Sequence, residues 1–122
     1  MPRIALVVDD SVSMRQMVAF TLSRAGFSVL EAGNGQEGLA RLAQNARVEV
    51  IITDLNMPVM DGIEFIRRLR ALPGSKFTPV LMLTTESQDS KKQQGKAAGA
   101  TGWIVKPFNP DRLVQTIGKV LP

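Results

Sequence analysis

Two apolar runs in this chain end in carboxylates. Ile4-Ala5-Leu6-Val7-Val8 leads into Asp9 and Asp10, and Val50-Ile51-Ile52-Thr53 leads into Asp54. If the runs are adjacent strands, the three acids meet at one edge of a sheet. Two such charges about 4 Å apart repel by roughly 4 kcal/mol at an effective dielectric of about 20. A cluster of this kind needs positive charge inside it. A divalent ion is one source; Lys106, which ends the further apolar run Trp103-Ile104-Val105, is another. Three acids and a lysine at strand ends make a site for handling a phosphoryl group on a metal ion.

The elements that must position these residues are legible in the periodicity. Short β-rich apolar runs at 4–8, 28–32, 48–54, 79–84 and 102–105 alternate with segments of helical period at about 12–25, 35–44, 62–72, 88–98 and 110–121. The first helix carries Met14, Met17, Val18, Thr21, Leu22 and Ala25 on one stripe. Asn34 with Glu37 and Asp61 with Glu64 have capping-box spacing, and Asn109-Pro110 is an N-cap followed by proline at the first helical position. Asp10 or Ser11 can cap the first helix. Gly26 and Gly99 stand where a left-handed C-terminal residue is wanted. Strict β/α alternation with continuously apolar strands predicts an α/β fold, a doubly wound five-stranded parallel sheet with five helices. Ligands of such folds sit beyond the carboxyl ends of the strands. Asp9, Asp10, Asp54, Thr84 and Lys106 all fall there.

Composition narrows the chemistry further. The 122 residues are 44% hydrophobic and 21% charged, the profile of one soluble domain spanning 1–122. With no cysteine and no histidine, the chain has no disulfide, no thiolate metal site and no histidine acid–base or phosphocarrier chemistry of its own. No signal peptide and no apolar run of the roughly 20 residues that span a bilayer can be read, so a cytoplasmic protein without membrane contact is expected. The net charge of +4 comes from scattered basic residues without interleaved aromatics, which speaks for acidic protein surfaces and against specific nucleic-acid binding.

The Asp9-Asp10 pair, Asp54 with Asn56-Met57-Pro58-Val59-Met60-Asp61-Gly62, Thr84 and Lys106-Pro107-Phe108 together resemble the receiver domain of bacterial two-component response regulators, most closely the stand-alone CheY-type chemotaxis regulators. The resemblance spans nearly the whole chain and implies a flavodoxin-like fold with strand order 2-1-3-4-5. It implies Asp54 as phosphoacceptor, and Mg²⁺ held by Asp9, Asp10, Asp54 and the backbone carbonyl of Asn56. Lys106 would contact the phosphoryl oxygens, before a cis bond to Pro107. Thr84 would be the switch hydroxyl, with Trp103 in the place of the aromatic switch residue. Many relatives have tyrosine there, so a step needing a phenolic oxygen does not carry over. Asn56 and Glu86 occupy the positions that tune acyl-phosphate hydrolysis, and Thr85 stands at the mouth of the site where a smaller residue is common.

The fourth helix adds Lys91, Lys92 and Lys96. Lys92 and Lys96 are like charges at i,i+4, at a cost of about 0.2–0.5 kcal/mol. They suggest a partner face with Trp103, although a solvated basic face has the same pattern. Arg67, Arg68 and Arg70 read as cations favoured by a helix C-terminus. The expected function is that of a monomeric single-domain response regulator. It would be phosphorylated on Asp54 by a chemotaxis-type sensor histidine kinase and would signal by protein contact, with the flagellar motor switch as the expected target. Apart from self-phosphotransfer and autodephosphorylation it would not be an enzyme. Two alternatives keep the chemistry: a phosphorelay shuttle or phosphate sink, and a metal-dependent phosphohydrolase with Asp54 as nucleophile.

Overall fold

The computed structural model describes residues 3–44, 47–84 and 89–121. Five strands, β1 (Arg3–Val8), β2 (Phe27–Ala32), β3 (Val48–Asp54), β4 (Val80–Thr84) and β5 (Gly102–Val105), alternate with five helices. The helices are α1 (Val12–Arg24), α2 (Gly35–Gln44), α3 (Gly62–Arg70), α4 (Asp89–Ala98) and α5 (Pro110–Val120). All strand pairs are parallel, in the order β2-β1-β3-β4-β5. The expected fold class and order therefore hold, and the element bounds match the sequence reading to within a residue or two.

Alternate side chains of each central strand enter opposite cores, which is why these strands are apolar throughout. Leu6, Val8, Ile51 and Met82 pack with α3 residues Phe65, Ile66 and Leu69 on one face. Ala5, Val7, Ile52, Leu81 and Leu83 pack with Val18 and Leu22 of α1 and Leu113 and Ile117 of α5 on the other. Strand order reverses between β1 and β3, so the crevice outside their carboxyl ends is where such a sheet offers a ligand site.

Helix ends follow the chemistry of their sequences, with adjustments. Ser11 caps α1, its side chain accepting from the Met14 N–H, and Asp10 is left free of that task. Asn34 Oδ1 accepts from Glu37 N–H at 2.9 Å, while Glu37 reaches back to the Gly33 N–H at 2.6 Å, one residue beyond the usual capping-box partner. Asp61 caps Glu64, but the Glu64 carboxylate turns to Arg67 and Arg68 instead of closing the box. Asn109 caps α5, and Gly26 and Gly99 have φ of 98° and 113°, the left-handed conformation expected of them.

Two expectations need correction. Met17 on the proposed apolar stripe of α1 is 55% exposed, and Ala25 is an exposed C-cap outside the helix, so the buried stripe narrows to Val18 and Leu22. Helix α3 ends at Arg70 and not at 72, because Pro73 opens a short 3₁₀ turn to Ser75 and the residue before a proline avoids helical ψ.

Candidate functional site

Asp9 follows β1 directly, and its N–H donates to the Ala32 carbonyl at 3.1 Å, extending the β1–β2 ladder by one residue. Asp54 is the last residue of β3, paired with Leu83 of β4. The register thus delivers both carboxylates to one end of the sheet. Carboxylate oxygens of Asp9, Asp10 and Asp54 lie within 4.8 Å of one another. Asp9 and Asp54 are buried, whereas Asp10 is exposed at the rim.

Lys106 enters from the end of β5, its N–H donating to the Thr84 carbonyl at 2.7 Å. Its ammonium lies 2.9 Å from Asp54 Oδ1 and 3.7 Å from Asp9 Oδ2. The following bond to Pro107 is cis. Asp54 Oδ1 also accepts from the Leu55 N–H at 2.9 Å, so among the described residues both of its hydrogen bonds fall on Oδ1. Asp9 Oδ1 accepts from Ser11 N–H at 2.9 Å. Its Oδ2 is buried without a hydrogen-bond partner. Burial pushes the Asp9 carboxyl above the ordinary carboxylate range, with the charges of Asp54 and Asp10 adding to the rise; the Ser11 N–H and Lys106 oppose it.

This donor set fits a hard divalent cation. Three carboxylates converge, one ammonium cannot balance them, and Asp9 Oδ2 is a buried acceptor with nothing to accept from. Oxygen-only ligation by few protein groups is the pattern of Mg²⁺.

Of the other expected site residues, those described lie on β4, β5, α4 and the loop after β3. Thr84 is buried at the end of β4 beside Val105 of β5. Trp103 lies on β5, paired with Met82 and 38% exposed, with the Lys92 ammonium 5.0 Å from the ring centroid. Lys91 and Lys96 are exposed on α4, while Lys92 is half-buried against that ring. Asn56 is exposed in the loop after β3. Thr85 and Glu86 lie outside the described residues.

Several residues at or near the site escape a reading by residue type. Gly62 begins α3 with its N–H on the Leu55 carbonyl at 2.8 Å, and a Cβ there would stand 2.3 Å from the Asp54 carbonyl oxygen. Only glycine lets α3 sit this close to the strand that carries Asp54; its place after the capping Asp61 was the available signal. Val59 has φ of 72°, rare for a β-branched residue, with the Met60 N–H donating to the Pro58 carbonyl at 2.7 Å across it. Arg70 is no mere helix-end cation. Its guanidinium donates to the Gly99 carbonyl at 2.7 and 3.1 Å and to the Ser75 carbonyl at 2.8 Å, tying α3 to the end of α4.

Comparison with known proteins agrees with this geometry. The family described as the response regulator receiver domain matches residues 5–118. Chemotaxis protein CheY1 of Helicobacter pylori is 43% identical, over 95% of this chain and 94% of its own length. A chemotaxis protein CheY homolog of Campylobacter jejuni is 42% identical, over 95% of this chain and 90% of its own. The solved structure of Vibrio cholerae chemotaxis protein CheY4 matches with a TM-score of 0.96 at 54% identity, covering 99% of this chain and 100% of that one.

Proposed function

The chain belongs to the response regulator receiver family and is a CheY-type chemotaxis response regulator; from that premise we propose that it takes a phosphoryl group onto Asp54 from the phosphohistidine of a sensor kinase. The observation that carries this reading is the Lys106 ammonium 2.9 Å from Asp54 Oδ1, inside a cluster of three carboxylates that has one orphaned oxygen.

With Oδ1 held by Lys106 and the Leu55 N–H, Asp54 Oδ2 is the oxygen that attacks phosphorus. The P–N bond of the donor breaks, its electron pair leaves with the imidazole nitrogen, and an acyl phosphate forms. Asp9, Asp10, Asp54 and the Asn56 carbonyl would hold Mg²⁺. When bound, the ion neutralises charge on the phosphoryl oxygens. Lys106 shifts from Asp54 to those oxygens as a point charge. Thr84, at the end of the neighbouring strand, turns its hydroxyl to the phosphoryl group and so couples the site to β5 and α4. Asn56 and Glu86 set the rate at which water removes the group.

The output is a protein contact on the surface of α4, β5 and α5, where Trp103, Lys96 and Lys119 line a groove of about 390 Å³. The flagellar motor switch is the proposed partner. The chemotaxis relatives favour neither the phosphorelay shuttle nor the phosphohydrolase.

Acetyl phosphate with Mg²⁺ tests the chemistry. Intact-mass measurement is expected to find one base-labile phosphoryl group on the wild-type chain and none on Asp54→Asn. A phosphorylated Asp54→Asn would defeat the assignment.

A further inference from the structure

We infer that Arg15, on the second turn of α1, is a positioning residue for the Asp9-Asp10 pair, acting through the peptide bond that joins them; this rests on the reading of the acid cluster given above. Arg15 Nη1 donates to the Asp9 carbonyl at 2.9 Å, and Arg15 Nε donates to Glu31 Oε1 on β2 at 3.1 Å. The Asp9 carbonyl and the Asp10 N–H belong to one rigid planar unit. Fixing that oxygen therefore fixes the direction in which the Asp10 Cα leaves β1. The buried Asp9 needs little further help, because its N–H is bonded to the Ala32 carbonyl and its Oδ1 to the Ser11 N–H. Asp10 is exposed at the rim, and the shared peptide plane is what the guanidinium holds on its behalf.

The guanidinium itself is braced. Its planar fork serves two acceptors at once, which an ammonium cannot do with the same geometry. The backbone of Glu31 is tied in turn to α2, its main-chain carbonyl accepting from Arg41 Nε at 3.3 Å. The loop after β2 closes over the arrangement: a Cβ on Gly33 would come 3.5 Å from Arg15 Nη1 and 2.9 Å from Glu37 Oε2. The Arg15 side chain is only 19% exposed, while Glu31 is 42% exposed. An ion pair with so open a partner adds about 0–1 kcal/mol to stability. Its value therefore lies in where it puts the arginine. Groups that orient ligands from behind typically change metal affinity or activity by about 10–100-fold when removed.

The test uses the full chain. Mg²⁺ is titrated calorimetrically into metal-free protein, the thermal midpoint is read in EDTA, and acetyl phosphate labelling of Asp54 is followed against Mg²⁺ concentration. Arg15→Met is expected to weaken Mg²⁺ binding by about tenfold. Half-saturating Mg²⁺ for labelling should rise in step, the lost labelling being recovered as Mg²⁺ is raised. Arg15→Lys, which keeps the charge and reach but not the fork, should fall between Arg15→Met and wild type. Combining Glu31→Gln with Arg15→Met should add nothing to Arg15→Met alone. An Arg15→Met or Arg15→Lys variant that folds and binds Mg²⁺ as wild type does overturns the inference, as does a loss confined to the thermal midpoint. A wild-type chain that binds no Mg²⁺ overturns the proposed function first, and this inference with it.

Discussion

Helices α3 and α4 cover the same face of the sheet and flank the same site, yet they bury very different side chains. From α3, Ile63, Phe65, Ile66 and Leu69 enter the core; from α4, only Gly95 and Ala98 are buried among the described residues. Each large apolar side chain contributes about 1.5–3 kcal/mol when fully buried, and an alanine methyl about 0.8 kcal/mol. Helix α4 also carries Gly95 in its interior, at about 1 kcal/mol relative to alanine. A Cβ there would meet the end of the Met82 side chain, which would have to move aside. The helix that follows the Asp54 strand, α3, is thus clamped to the sheet, while α4, which meets Trp103 through Lys92, rests on it through two small residues. Elements that move in signalling come from the weakly anchored end of a structure's stability range. Arg70 bonds the Gly99 carbonyl, so the C-terminal end of α4 is held to α3; a shift of α4 is therefore expected to pivot about that end.

Core truncation would break this comparison most directly. Phe65→Ala in α3 is expected to cost about 3–5 kcal/mol by urea denaturation. Ala98→Gly in α4 should cost only about 1–2 kcal/mol. Equal losses would mean that α4 is as firmly packed as α3, and the pivot would have no physical basis.

Asp9 and Asp10 offer a second, smaller contrast between an enclosed and an open group. Burial raises the Asp9 carboxyl above its unfolded value. From about pH 4 upward, then, the folded chain keeps a proton that the unfolded chain has released. More protons bound in the folded state means that metal-free stability falls as pH rises through this window and levels off above the raised value. Asp9→Asn should remove that slope and stabilise the metal-free protein at neutral pH by about 1–2 kcal/mol, the scale of an unpaired buried polar group. Asp10→Asn, at an exposed position, should change it far less. Urea midpoints in EDTA across the pH range would test both, and a destabilised Asp9→Asn would show that the crowded carboxylates are already balanced.

What the sequence disclosed follows the same division. The strands, their order of acids and the lysine were legible, because buried parallel strands are continuous apolar runs and their ends are marked by charge. The α/β fold class and the placing of Asp9, Asp10, Asp54 and Lys106 at strand ends followed from that pattern; the strand order and the cis bond before Pro107 came from resemblance alone. Met17 was misplaced because an apolar residue at helical spacing reads as core even where the helix rides on a narrow stripe. Arg15 and Arg70 were invisible as tethers, since their partners are backbone carbonyls, which every residue carries and no sequence pattern marks. The left-handed Val59 was equally hidden, as its residue type argues against that conformation.

The smallest expected effect concerns the outer face of α4 and separates its lysines from one another. Lys91 and Lys96 are exposed, while Lys92 lies with its ammonium 5.0 Å from the centre of the Trp103 ring. A cation over an indole contributes about 0.5–1 kcal/mol at an exposed site, enough to offset the repulsion between Lys92 and Lys96 at i,i+4. Lys92 therefore links α4 to β5, whereas Lys91 and Lys96 remain available to steer an acidic partner. Lys91→Glu and Lys96→Glu should each slow association by a few-fold at low salt. The loss should shrink as ionic strength rises, because charges beyond about 8–10 Å are screened. Lys92→Glu should in addition shift Trp103 emission in the unliganded protein, a change the other two should not produce. Stopped-flow association rates with the proposed motor-switch partner, taken across a salt series, would decide the matter. Rates equal to wild type at low salt would leave Lys91 and Lys96 as a solvated face, and unchanged emission in Lys92→Glu would remove the link between α4 and Trp103.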